Sequence, residues 1–332
     1  FSNELCKGDI ACSEGLIVGI GEYEGEKEID VSGKIVCPGF IDAHIHLESS
    51  LVSPKEFAKA VLPHGTTTVV TDPHEIANVM GADGIEYMLQ ATEGLPVDVR
   101  FMLPSCVPAT PLDESGAALD YRAIDSFYQH NRIEGLAEMM NAYGVYTGDE
   151  QVLEKIVAAQ AHHKKIDGHA PGLSGNALNA YIAAGVYSDH ECSTVEDALA
   201  KIERGQYIMI REGTAARNLD ALLPLLTPQY YANCMFCTDD KHPSDLLEKG
   251  HIDYIVRRAI KDTVSKEEYF LKELFGNELS SSKMPELFSA FIDCVSDDEK
   301  AIFELEHLIK EKKKELKKGL MQKLLTGEWR VK

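Results

Sequence analysis

No apolar run among these 332 residues approaches the roughly 20 needed to cross a bilayer, so a membrane-spanning helix is not expected. No basic and then apolar leader opens the sequence, and it starts at Phe1 instead of Met, so a longer precursor or a fragment is expected. Positive charge is scarce: 33 Lys and Arg face 54 Asp and Glu, leaving a formal net charge of −21. That sign argues against nucleic acid or an anionic membrane as partner and suits the holding of divalent cations. The eight cysteines are spread thinly, unlike a secreted disulfide scaffold, and point to a reducing cytoplasm. There is no P-loop, no G-x-S-x-G elbow and no G-x-G-x-x-G placed between a strand and a helix. Phosphate cradles and serine-esterase chemistry are excluded with them.

What is present is an alternation. Residues 1–34 read as short strands turning at Gly8, Gly15, Gly21 and Gly25, a partial small β domain. Apolar runs follow at 35–43, 66–71, 97–103, 133–137, 165–168, 185–188, 206–211 and 234–238. Amphipathic stretches at 54–62, 84–92, 150–163, 176–184, 194–204 and 217–226 lie between them. Eight strands, mostly followed by helices, predict an α/β chain folded as a (β/α)₈ TIM-type barrel over residues 35–265. From 266 to 332 the pattern changes to a helical tail. Ser280-Ser281-Ser282 marks a break, and 297–325 reads as a long polar helix with a stripe of Ile302, Leu305, Ile309, Leu316 and Leu320. That helix is either a coiled-coil or partner-binding element or a solvated tail.

The chemistry-bearing residues sit where the strands end. His44 and His46 are one residue apart at the close of the first barrel run, so both imidazoles leave one strand face together. Glu138 ends the run 133–137, His169 follows Ile166-Asp167-Gly168, and His190 lies in Tyr187-Ser188-Asp189-His190-Glu191. Asp239 and Asp240 follow Met235-Phe236-Cys237-Thr238; either can reach a metal, and Asp239, which continues the strand, is preferred. Imidazole with carboxylate suits Zn, Mn or Fe. Four histidines, a carboxylate able to bridge and an aspartate suffice for two cations that ionise water near neutral pH. Asp72, His74 and Glu75 follow the second strand and either bind substrate or a further cation, or cap the next helix through Asp72. Arg211 and Glu212 end the seventh strand and either hydrogen-bond a heterocycle or form an ion pair that orders the rim. His64, His130, His162, His163, His242, His251 and His307 are expected on the surface or on helices. The pair of segments His46-Leu47-Glu48 and Cys234-Met235-Phe236-Cys237 imitates the zinc nucleobase deaminase signature, but Asn233 stands where that signature has proline.

At this point Pro38-Gly39-Phe40-Ile41-Asp42-Ala43-His44-Ile45-His46 resembles the first metal-binding strand of the amidohydrolase superfamily. More narrowly, Thr71-Asp72-Pro73-His74-Glu75, Asp167-Gly168-His169-Ala170-Pro171-Gly172, Ser188-Asp189-His190-Glu191-Cys192, Met209-Ile210-Arg211-Glu212-Gly213 and Cys237-Thr238-Asp239-Asp240-Lys241 resemble the bacterial adenine deaminases of that superfamily, over roughly residues 1–262. The resemblance implies hydrolysis of adenine to hypoxanthine and ammonia in purine salvage, at a binuclear Mn or Fe centre, with Zn possible, in a homo-oligomer. It implies that His44, His46, Glu138, His169, His190 and Asp239 hold the metals, and that Asp239, Glu138 and His190 are catalytic, Asp239 as base and then acid. It implies that Asp72, His74, Glu75, Arg211, Glu212 and Asp240 orient the purine. The alternatives are an amidohydrolase acting on another purine or a cyclic amide, or an inactive fused chain acting through its last helix. Residues 316–332 resemble the end of type I restriction specificity subunits, which suggests a truncated or fused reading frame.

Overall fold

The computed structural model describes residues 6–110, 112–264 and 329–331. The described residues form two compact units, one spanning Gly39–Asp262 and the other built from the segments on either side of it.

In the smaller unit, β1 (Asp9–Ser13), β2 (Leu16–Gly21) and β3 (Lys27–Ile29) come from the expected small β element. Glu14 and Gly15, both at positive φ, make the β1–β2 turn. The order of this sheet is β2-β1-β12-β3, where β12 is Trp329–Val331 from the far end of the chain. β12 runs antiparallel to β1 and parallel to β3. A tail expected to be helical to its end therefore finishes in a strand, which saturates backbone groups that β1 and β3 would otherwise present unpaired. The expected break at 280–282 and the helix over 297–325 lie outside the described residues.

The larger unit holds eight strands in the predicted order: β4 (Phe40–Ile45), β5 (Thr66–Thr71), β6 (Asp98–Leu103), β7 (Ile133–Met139), β8 (Lys165–Gly168), β9 (Ser188–Asp189), β10 (Tyr207–Arg211) and β11 (Cys234–Cys237). They form two parallel sheets, β4-β5-β6-β7-β8 and β9-β10-β11. Single parallel bridges join the sheets at both junctions, Ile166↔Val186 and Ile45↔Asp239. Strands covered on both faces read as continuous apolar runs, and Ile133, Leu136, Ala137 and Met139 of β7 are all buried. Core side chains such as Ile45, Val69, Phe101, Leu136 and Ile166 pack together from successive strands, while Ile208 and Ile210 pack with Leu219, Leu222 and Ile255.

Helices start where the sequence supplies acceptors. Ser53, Asp149 and Thr194 accept from the backbone N–H three residues on, in Glu56, Val152 and Asp197. Some boundaries differ from the periodicity, for local reasons. β4 begins at Phe40 and not at residue 35, because Pro38 has no N–H to give a ladder. The expected helix over 217–226 is regular only at Leu219–Leu222, since Pro224 tightens the next turn into a 3₁₀ segment. Among the described residues, no helix is long and apolar enough to cross a membrane.

Candidate metal centre

β4 delivers His44 and His46 to one point, both essentially buried. The His44 Nε2, His46 Nε2 and Asp239 Oδ1 atoms form a triangle with sides of 3.3, 3.2 and 3.6 Å. A point about 2 Å from all three atoms exists, the length of a metal–nitrogen or metal–oxygen bond. Asp239 reaches it from the end of β11 through an unusual backbone. Its φ of 57° is left-handed, tolerable for Asp, while its amide still donates to His44 O at 2.9 Å and its carbonyl accepts from His46 N at 3.1 Å. Such local strain is a common mark of functional positions.

The outer nitrogen of each imidazole is also fixed. His44 Nδ1 lies 3.1 Å from Asp167 Oδ2, and His46 Nδ1 lies 3.0 Å from the Asp72 carbonyl. Imidazoles oriented in this way present Nε2 as the free donor to a metal.

Glu138, buried at the end of β7, faces in two directions. Its Oε1 lies 3.4 Å from both His46 Nε2 and His74 Nδ1. Its Oε2 lies 2.7 Å from His169 Nδ1 and 3.2 Å from His190 Nε2. Each oxygen thus serves a separate pair of imidazoles, the arrangement a carboxylate needs to bridge two cations. His169 and His190 also approach Glu191 Oε1, at 3.6 and 3.4 Å. Four overlapping donor groups result: His44–His46–Asp239, His44–Glu138–His190, His169–His190–Glu191 and His46–Asp72–His74–Glu138.

The electrostatics of the carboxylates suit ligation. Burial alone would raise the Glu138 carboxyl, but hydrogen bonds from His169, His190 and His46 outweigh it and hold the group well below the usual carboxylate range. Asp239 behaves likewise, burial losing to His44 and His46. Burial pulls His44 and His46 down, yet Asp167 and Asp239 for the first, and Asp239 and Glu138 for the second, hold both well above an ordinary imidazole. Both carboxylates are therefore anionic, the form a metal takes, whereas the two imidazoles hold protons that a bound cation would displace. Among the described residues the buried Asp72 Oδ1, beside His46, His74 and Glu138, has no hydrogen-bond partner, and an unpartnered buried polar atom is expensive unless a ligand completes it. By donor chemistry, spacing and this orphaned atom, the site fits divalent cations.

The expected site residues divide into three groups. His44, His46, Glu138, His169, His190 and Asp239 converge, and His74 joins them through Asp72 Oδ2 at 2.8 Å and Glu138. Glu75, Asp240 and Arg211 stand around this centre. Ser49 Oγ donates to Glu75 Oε1 at 3.0 Å and to Asp240, so Asp240 is engaged there while Asp239 faces the imidazoles. Arg211 Nη1 donates to Asp239 Oδ2 at 2.6 Å and Nη2 to Glu191 Oε2 at 3.0 Å. Glu212 departs from expectation. Adjacent residues of a strand face opposite ways, and its carboxylate lies 3.4 Å from Arg258 and 4.0 Å from Arg217, away from the imidazoles. His251 also departs: instead of lying at the surface it is fully buried, with Nδ1 2.8 Å from Thr66 Oγ1 and Nε2 3.0 Å from Asp42 Oδ2.

Sequence reasoning missed Asp42, Asp167 and Glu191 as site residues. The first two were within reach of the two-residue period: Asp42 precedes His44 by two and Asp167 precedes His169 by two. Asp42 accepts from Thr238 N at 3.0 Å and ties β4 to the segment that carries Asp239. Glu191 had no periodic signal, lying beyond β9 in an irregular segment.

The amidohydrolase family model matches residues 35–270. An adenine deaminase of Desulfatibacillum aliphaticivorans is 53% identical over 264 residues, 80% of this chain and 46% of its own. Those of Clostridium acetobutylicum and Kosmotoga olearia are 53% and 54% identical, over 78% and 79% of this chain and 46% of theirs. The chain thus spans about half the length of these curated relatives. With the matched region covering both parallel sheets and every residue of the imidazole–carboxylate cluster, the chain belongs to the amidohydrolase family.

Proposed function

We propose that this chain carries the metal centre of an adenine deaminase, converting adenine and water to hypoxanthine and ammonia. The observation that carries the reading is Glu138, whose two oxygens each face a different pair of imidazoles beside the His44–His46–Asp239 triangle. A two-cation hydrolase needs such a carboxylate, and the named relatives supply the substrate. The eight parallel strands with bridges at both sheet junctions support one closed (β/α)₈ barrel, with the cluster at the C-terminal strand ends where such barrels place their chemistry. The imidazole and carboxylate donors suit Mn, Fe or Zn, and the resemblance to adenine deaminases favours Mn or Fe. The purine is the small-molecule partner, and a cytoplasmic homo-oligomer is the setting we infer.

His44, His46 and Asp239 would hold one cation and His169 and His190 the other, with Glu138 between them. When bound, two divalent ions supply an ionised water near neutral pH and a Lewis acid. The chain's own groups do the rest. Asp239, held by Arg211, takes up the proton lost by water and returns it to the departing C6 amine. Arg211 is held in turn by Glu191, so the relay is set at a fixed angle to the imidazoles. Asp72 and His74 lie against His46 and Glu138, and Glu75 and Asp240 stand beside them, where donors and acceptors for the purine ring are needed. The test is ammonia release from adenine by protein of measured metal content. About two ions per chain with ammonia and hypoxanthine formed in equal amounts are expected. Mn-loaded, folded protein that leaves adenine untouched would overturn the assignment.

A further inference from the structure

Behind His169 and His190 lies a buried ion pair for which the chemistry above has no use. Lys201, on the helix Val195–Ile202, is fully buried. Its Nζ donates to the Ala170 carbonyl at 2.8 Å and to Asp189 Oδ2 at 3.0 Å, and lies 3.2 Å from Asp197 Oδ1. Asp189, itself fully buried in β9, accepts from the Ala170 N–H at Oδ1, 2.7 Å away. Its Oδ2 accepts from the Glu191 N–H at 3.0 Å and the Cys192 thiol at 3.2 Å. The pair therefore grips both the N–H and the C=O of the residue after His169, and the N–H of the residue after His190. Taking a lysine and an aspartate wholly out of water is costly unless geometry repays it, and here, apart from Asp197 on the lysine's own helix, the contacts fall on the two segments that carry one set of imidazoles. The other set is oriented elsewhere: His44 by Asp167, His46 by the Asp72 carbonyl and Asp239 by Arg211, none of which touches Lys201.

We propose that Lys201, through Asp189, is a positioning residue that sets the affinity of the metal position built on His169 and His190, and leaves that of His44, His46 and Asp239 unchanged. This rests on the two-cation reading above. Groups that orient metal ligands from behind are worth about 10- to 100-fold in metal affinity when removed.

The test is Mn²⁺ titration of the metal-stripped full chain, with bound metal counted by mass spectrometry. The unaltered protein is expected to take two ions. Lys201→Met is expected to keep one with unchanged affinity and to bind the second about 10- to 100-fold more weakly. An unaltered protein that takes fewer than two ions overturns the two-cation reading and this inference together. Two ions in the unaltered protein and two equally tight ions in Lys201→Met overturn this inference alone. Should Lys201→Met lack a cooperative melt by circular dichroism, the charge-balanced Asp189→Asn/Lys201→Met protein carries the same measurement, because it too lacks the tie to the Ala170 carbonyl. Loss of folding in both assigns the pair to stability only and overturns the proposal.

Discussion

Asp239 divides its two oxygens between the imidazoles of His44 and His46 on one side and the Arg211 guanidinium on the other. An amide in its place keeps the shape but loses the charge that both sides require and the basicity that a proton relay needs. Ammonia release by Asp239→Asn is therefore expected to fall by about 10²–10⁴-fold in steady-state assays, the usual span for removing a general acid–base group. A loss below tenfold would remove Asp239 from the relay. Arg211 acts through Asp239 and Glu191, and its planar fork engages both at once. Lysine cannot reproduce that double contact, so Arg211→Lys is expected to lower kcat while leaving bound metal near two ions, which metal analysis beside the assay will read. At this scale the sequence was legible where a period spoke. His44 and His46 stand two apart on a strand, and their convergence follows from that alone. Asp167 shares the same logic and was overlooked, whereas Glu191 and the Lys201–Asp189 pair depend on contacts between segments 10 or more residues apart that no local pattern encodes.

The strands and helices were the most readable level, because runs such as Thr66–Thr71 and Ile133–Met139 are largely buried and rich in β-branched or apolar residues. Ends were less readable. Pro38 delays β4, Pro224 breaks the 217–226 stretch, and β12 is set by pairing with strands some 300 residues away, a partner that periodicity cannot reveal. Element ends are also where charge is stored. At the start of the helix Ile252–Val264, Asp253 is buried, accepts from the His251 N–H at 2.7 Å, and pairs with His64 at 3.3 Å and with Arg257. Burial raises its carboxyl, but His64 and Arg257 prevail, so its pKa in the folded chain lies below the ordinary value. A depressed carboxylate stabilises the fold above its unfolded pKa of about 4, and that contribution is lost as pH falls through the lower folded value. Asp253→Asn is thus expected to melt earlier than the unaltered protein at pH 7, by about 1–3 kcal/mol for a lost buried charged hydrogen bond. The gap should narrow below about pH 4. Melting curves at both pH values decide it, and a gap that widens in acid would contradict the sign.

For the molecule as a whole, the donors of the centre come from the ends of β4, β7 and β11, from the segment after β5 and from the segments after β8 and β9. Residues from His44 to Asp239 thus meet within one small volume, although they are separated by nearly two hundred positions along the chain. An unfolded chain cannot gather them, so cations that bind there favour the native state by mass action. At a free concentration about 1,000 times the dissociation constant, the gain is about 4 kcal/mol for a single site. For a chain of this size such a gain corresponds to a rise in Tm of roughly 6 °C. Net charge complicates the reading, since −21 charges attract any divalent ion to the surface. Mg²⁺ separates the two effects: it screens surface charge as Mn²⁺ does, but it prefers oxygen ligands and binds imidazole poorly. The expectation is a large rise in Tm with Mn²⁺, a small one with equal Mg²⁺, and reversal of the first by chelation. Equal rises with the two ions would mean that the imidazoles do not ligate the ion, and the reading of this cluster as a metal centre would fail at its foundation.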